Sequence, residues 1–141
     1  MIKEIKSNKY LGYIRVSSKD QAEGGSLEAQ KDGIQKYAER KDYVIEKLYE
    51  EVESASKLGR ELFQNMIDEV KSKKLAGVIF HKVDRSARNP KDQAVLYELM
   101  NEGYELHFVA EGLSTAEPLG RNMMYLLWGM SSAYIENLKF E

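Results

Sequence analysis

The sequence predicts an α/β fold on a mostly parallel central sheet, and three observations predict it. Strand-like apolar runs alternate with segments of helical period along nearly the whole chain. Residues 76–80, Ala-Gly-Val-Ile-Phe, are apolar throughout, as in a strand covered on both faces. The chain has 141 residues, enough for one domain with a real core.

Residues 1–8 are polar and are read as loose. The first strand covers 10–16. Strand side chains alternate between faces, so Tyr13, Arg15 and Ser17 share one side while Ile14 and Val16 take the other. Residues 19–25 form a glycine-containing loop. Ser26 caps a helix running to about residue 41, with Glu28 in its first turn and Leu27, Gln30, Ile34, Tyr37 and Ala38 as its inner stripe. A second strand covers 43–50, and 51–59 reads as a polar loop. A helix begins at Arg60 and turns Leu62, Phe63, Met66, Ile67 and Val70 inward. After the apolar strand 76–80, a charged loop covers 81–89. Asn89-Pro90 marks the boundary before a helix over 91–101, and Gly103 supplies its C′ cap. A fourth strand covers 105–110. From 119 to 141 the sequence predicts one long helix, with Met123, Leu127, Met130, Tyr134 and Leu138 at helical spacing. That helix meets no Gly or Asn cap, so the chain reads as cut inside it and as a piece of something longer. The expected division is a 1–118 α/β domain followed by the start of a long helix at 119–141.

Composition narrows the function classes. Hydrophobic residues make up 43% and charged residues 31%, which predicts an ordinary soluble globular domain. Without cysteine there is no disulfide framework, no thiol nucleophile and no common structural zinc site. No signal peptide or membrane span is evident. The longest apolar run, around 123–128, is too short to cross a bilayer. The net charge is −2 and the pI about 5.8. A stand-alone nucleic-acid-binding domain is usually basic, so any DNA contact here must be local or be supplied mainly by another segment.

The chemistry is carried by Tyr13, Arg15 and Ser17 and by the segment His81-Lys82-Val83-Asp84-Arg85-Ser86-Ala87-Arg88-Asn89. In open α/β sheets, sites form beyond the carboxyl ends of the strands. Ser17, Arg60 and the 81–89 loop each follow such an end. Arg85 and Arg88, three apart, share a face on a helical turn. With Arg15 and Arg60 they bring four guanidiniums near the strand ends. Guanidinium forks match phosphate oxygens and keep their charge. Placed where an attacked phosphodiester gathers negative charge, they stabilise the transition state more than the ground state. Asp84 is suited to orienting an arginine or moving a proton.

Tyr13-x-Arg15-x-Ser17, Gln30 within Ser26-Leu27-Glu28-Ala29-Gln30, Arg60 heading a helix, and Asp84-Arg85-x-x-Arg88 together resemble the catalytic domain of the serine recombinase (resolvase/invertase) family. Gly112-Leu113-Ser114-Thr115 is similar to the segment that precedes the family's long helix. The resemblance covers nearly the whole chain. It implies a resolvase-like three-layer domain with a long C-terminal oligomerisation helix. It implies that Ser17 is the nucleophile, forming a 5′-phosphoserine bond to DNA and releasing a 3′ hydroxyl. Arg15, Arg60, Arg85 and Arg88 would bind the scissile phosphate, with Gln21 as a further phosphate contact. Asp84 and Gln30 would support them, and Tyr13 would position the site. No metal or other cofactor is implied.

The implied partners are double-stranded DNA, read mainly by a C-terminal module outside this chain, and further copies of the chain. These copies would form a homodimer and, in the synaptic complex, a tetramer. Met123, Leu127, Met130, Tyr134, Glu136 and Leu138 would line that interface. The implied setting is the cytoplasm of a bacterium, in a protein encoded by a phage or another mobile element. The chain departs from the family at Asn137, where many members have arginine, and at Glu69, where small resolvases carry lysine. The insertion at 22–25 is more similar to large serine integrases and transposon recombinases.

Plainer readings stand beside these. Ser17 alone is a turn or cap residue, and Ser18 points off the Tyr-Arg face. Charge runs are usually surface ion pairs. His81 and His107 sit in or beside strands, where packing or surface roles fit. The 123–138 stripe is ordinary core unless its length makes it an interface. Two rival functions remain: a metal-dependent phosphotransfer or phosphoesterase domain, for which no acidic site is evident, and a non-catalytic flavodoxin- or receiver-like assembly module. A receiver would carry clustered aspartates after the first strand, where this chain has Arg15 and Ser17.

Overall fold

The computed structural model describes residues 7–16, 26–52, 56–87 and 89–140; for residues 26, 56–60 and 131–140 it describes the backbone alone. The Ser17, Gln21 and Arg88 assignments lie outside these residues. The elements, in order, are β1 (Lys9–Val16), α1 (Ser26–Arg40), β2 (Val44–Val52), α2 (Ser56–Ser72), β3 (Gly77–Phe80), a 3-10 turn at Val83–Arg85, α3 (Pro90–Asn101), β4 (Glu105–Phe108), β5 (Leu113–Ser114) and α4 (Pro118–Phe140). The sheet order is β2-β1-β3-β4-β5. β1, β2, β3 and β4 run parallel, and β5 pairs antiparallel to β4.

Alternation along β1 sorts the core into two layers. Leu11 and Tyr13 join Phe63, Met66 and Val70 of α2, Leu96 and Leu99 of α3, and Met124 and Trp128 of α4. Tyr10, Ile14 and Val16 face Ile34, Tyr37 and Ala38 of α1. One helix therefore covers one face and three cover the other, giving three layers. The fully buried β3 explains its uninterrupted apolar sequence. Asn89 caps α3 through its side chain, which accepts from Asp92 N at 2.8 Å. Gly103 ends that helix at φ +101°.

The structure corrects several boundaries. β2 runs to Val52, so Glu51 belongs to the sheet and not to a loop; it lies opposite Arg15 in the β1–β2 register. α2 starts at Ser56, which makes Arg60 its fifth residue and not its head. The fourth strand stops at Phe108, and the two-residue β5 follows it. So short a strand shows no period in sequence; it is defined by pairing His107 with Ser114 and Phe108 with Leu113. Close backbone approach fixes two glycines. A Cβ on Gly77 would lie 1.9 Å from the Glu105 carbonyl oxygen, and one on Gly120 would lie 2.0 Å from that of Ser114. The second approach seats α4 directly on β5.

Candidate active site

The strand order places a topological switch between β1 and β3, because the chain leaves β1 towards β2 and leaves β3 towards β4. Arg15, next to last in β1, lies at that crevice and is only 7% exposed. Its Nη2 donates to the main-chain carbonyl of Asp84 at 3.0 Å. The first strand and the arginine-bearing turn after β3 are thus joined at the sheet's carboxyl edge. The turn itself is tightly made. Arg85 N donates to Lys82 O and Ser86 N to Val83 O, both at 3.1 Å. Val83 is buried in the core beneath it.

Tyr13 and Arg15 share a face, as alternation predicts, but they do different things. Tyr13 is a core ring packed edge-on to Phe63 and Phe80, and its hydroxyl donates to the Glu51 carboxylate. Glu51 is 2% exposed and faces Arg15 across the β1–β2 ladder. The site therefore has a buried carboxylate that sequence reasoning missed. The available signal was Tyr49-x-Glu51 on one face of β2, the same two-residue step as Tyr13-x-Arg15.

Asp84 contributes its backbone. Its carboxylate is largely exposed, 4.0 Å from Lys82 Nζ, while its carbonyl receives Arg15. Gln30 is buried on α1 one turn before Ile34, so it approaches the edge from the Ile14–Val16 side of the sheet. Arg85 is half-buried in the turn. Arg60 is placed only by its helix backbone. Glu69 turns away from this edge: it accepts from Tyr49 Oη at 2.6 Å and pairs with Lys73 at 3.1 Å. The Tyr49 hydroxyl, more than Lys73, holds its carboxyl below the ordinary carboxylate range.

Glu111, Ser86 and Trp128 hold the turn, and neither Glu111 nor Trp128 stood out in the sequence. Glu111 accepts Val83 N with both oxygens at 3.2 Å. Ser86 Oγ donates to Val83 O and accepts from Trp128 Nε1 at 3.1 Å. His81 sits at the end of β3, where burial and then the neighbouring Lys82 push its imidazole below the ordinary value. His107 belongs elsewhere, in a partly buried network of Tyr37, His107, Glu105 and Tyr10 joined at 2.6, 2.8 and 2.9 Å.

On α4, Leu126 and Met130 are exposed and Met123 is half-buried, whereas Leu127 packs against the core. Tyr134, Glu136 and Leu138 lie on the helix backbone, with side chains outside the described residues. No helix among the described residues is long and apolar enough to cross a membrane.

A guanidinium held at the mouth of a parallel sheet, next to a turn carrying a second one, is an arrangement for an anionic oxygen group. The family model described as "Resolvase, N terminal domain" matches residues 10–140. The chain belongs to the resolvase family. The crystal structure of a resolvase family site-specific recombinase from Streptococcus pneumoniae is 30% identical to this resolvase-family domain, over 94% of this chain and 91% of that one, with a TM-score of 0.69. The crystal structure of the N-terminal catalytic domain of TP901-1 integrase shares the fold at 22% identity, over 91% of this chain and 97% of that one, with a TM-score of 0.62. No curated protein matches the chain. The mostly parallel five-stranded sheet with helices on both faces is the fold of these resolvase-family domains.

Proposed function

We propose that this resolvase-family domain cleaves and rejoins DNA at specific sites, with Ser17 as the nucleophile. The observation that carries the reading is the bond from Arg15 Nη2 to the Asp84 carbonyl. It ties β1, whose last residue precedes Ser17, to the turn that holds Arg85 and leads to Arg88. In the proposed step, Ser17 Oγ attacks the scissile phosphorus and loses its proton. The bond from phosphorus to the 3′ oxygen breaks, and that oxygen leaves as a hydroxyl after taking up a proton. A 5′-phosphoserine remains. Its bond energy is conserved, so a new 3′ hydroxyl can reverse the step on another strand. Arg15, Arg60, Arg85 and Arg88 meet the charge that builds on the non-bridging oxygens. Gln30 supports the phosphate from the α1 side, with Gln21 as a further phosphate contact. Tyr13 acts through Glu51, fixing the carboxylate beside Arg15.

The exposed Leu126 and Met130 on α4 support assembly with further copies, as a dimer and then a tetramer on paired DNA sites. A cytoplasmic setting follows from that substrate.

Covalent trapping tests the reading. The full-length protein is incubated, with EDTA present, with a nicked duplex spanning the ends of the DNA element that encodes it. The expected product is a denaturation-resistant adduct on the 5′ side of the break, absent in Ser17→Ala. A folded, DNA-bound protein that gives no adduct, or one that persists in Ser17→Ala, refutes the assignment.

A further inference from the structure

The turn 83–86 is held at three points by three different elements. The loop after β4 holds the start, where Glu111 takes Val83 N. β1 holds the middle, where Arg15 reaches Asp84 O. α4 holds the end, where Trp128 Nε1 donates to Ser86 Oγ and that hydroxyl in turn donates to Val83 O. Ser86 is 2% exposed and Trp128 6%, so water does not compete for this relay. Donor and acceptor in series polarise each other, which strengthens both bonds. Core packing alone would be met by any large apolar side chain. The chain's single tryptophan brings an N–H to the one hydroxyl between Arg85 and Arg88.

We propose that Trp128 is a positioning residue that acts through Ser86, so that α4 sets how the turn after β3 presents Arg85. The proposal rests on the functional reading above. Leu126 and Met130 lie two residues either side of Trp128 and are exposed. A load on the outer face of α4 is therefore felt at the arginine turn.

The test uses the full-length protein and the nicked duplex, under single turnover with saturating DNA. Trp128→Phe keeps an aromatic ring and removes the N–H. Its adduct-forming rate per folded molecule falls about tenfold, while half-saturating DNA stays within about twofold, because misplacing a group costs rate more than binding. Ser86→Ala does the same, and the double variant is no slower than the slower single one, since both remove one relay. A second measurement is independent of activity. In Trp128→Phe, amide exchange quickens at Arg85 and Ser86 and is unchanged in β3. Wild-type rates in both single variants, additive losses in the double variant, or unchanged exchange in the turn would each overturn the coupling. A wild-type protein with no Ser17-dependent adduct fails the functional reading instead, so the two failures are told apart.

Discussion

Tyr13→Phe removes the hydroxyl that donates to Glu51. The Tyr13 ring is 1% exposed, with Phe63 and Phe80 at centroid distances of 6.0 and 5.9 Å. Phenylalanine preserves those contacts and deletes only the hydroxyl that donates to Glu51. The acceptor is a buried carboxylate on β2, and a bond to a charged group of this kind contributes about 1.5–3 kcal/mol. Water cannot readily replace the lost donor, so the variant should lose nearly all of that. For a chain of this length each kcal/mol is worth about 3–4 °C, giving a fall in Tm of about 5–12 °C. Thermal and urea unfolding followed by circular dichroism at pH 7 measure it. A double-mutant cycle with Glu51→Gln should return a coupling of about 1 kcal/mol or more. Tyr49→Phe is the comparison. Its acceptor, Glu69, also has Lys73 at 3.1 Å near the surface, so the loss there should be smaller, about 1 kcal/mol. If Tyr13→Phe stays within about 0.5 kcal/mol of the wild type, a surface-like value, Glu51 is not held as described.

Other outcomes follow from the same geometry. Gly77→Ala drives a Cβ into the β4 backbone at 1.9 Å and should cost about 3 kcal/mol, whereas Gly33→Ala, with Val109 Cγ1 at an ordinary 3.8 Å inside α1, should gain about 0.5–1 kcal/mol; equal effects in urea melts would contradict the β3–β4 approach. The His107 ring N–H, ahead of the Tyr10 hydroxyl, holds the Glu105 carboxyl below its unperturbed 4.5. A depressed carboxyl stabilises the fold above that value and loses the contribution as pH falls through the folded value. Tm should therefore drop more steeply below about pH 4.5 in the wild type than in Glu105→Gln, and parallel curves would remove Glu105 from the acid response. Leu126→Glu and Met130→Glu, at positions 55% and 60% exposed, should lower the mass seen by light scattering without lowering Tm. Leu127→Glu should lower Tm instead, because that side chain packs on the core; unchanged mass in the first two variants counts against assembly through this face.

Much of the architecture was legible in the chain because it depends on local period. The two-residue step puts Tyr13 and Arg15 on one face, the apolar run 76–80 marks a strand covered on both sides, and Asn89-Pro90 and Gly103 bracket α3 as their capping chemistry requires. The order of Tyr13, Arg15, Gln30, Asp84 and Arg85 pointed to the family that residues 10–140 match.

Other features depend on partners far away in sequence, and no local pattern reports them. Glu51 reads as loop because it is charged; it is strand because β1 pairs with it and Tyr13, 38 residues away, supplies a proton donor. Asp84 reads as an acid, yet its carbonyl receives Arg15. β5 exists only as the antiparallel partner of β4. Leu127 and Leu126 are the same residue type at adjacent positions, and only the rotation of α4 on the core packs one against it and exposes the other. Trp128 and Ser86 meet across 42 residues. Side-chain period and backbone propensity belong to neighbours along the chain, so sequence alone determined the elements and their faces. Hydrogen-bond partners and burial belong to neighbours in space, and packing α4 and β2 around the β1–β3 edge decided which groups meet there.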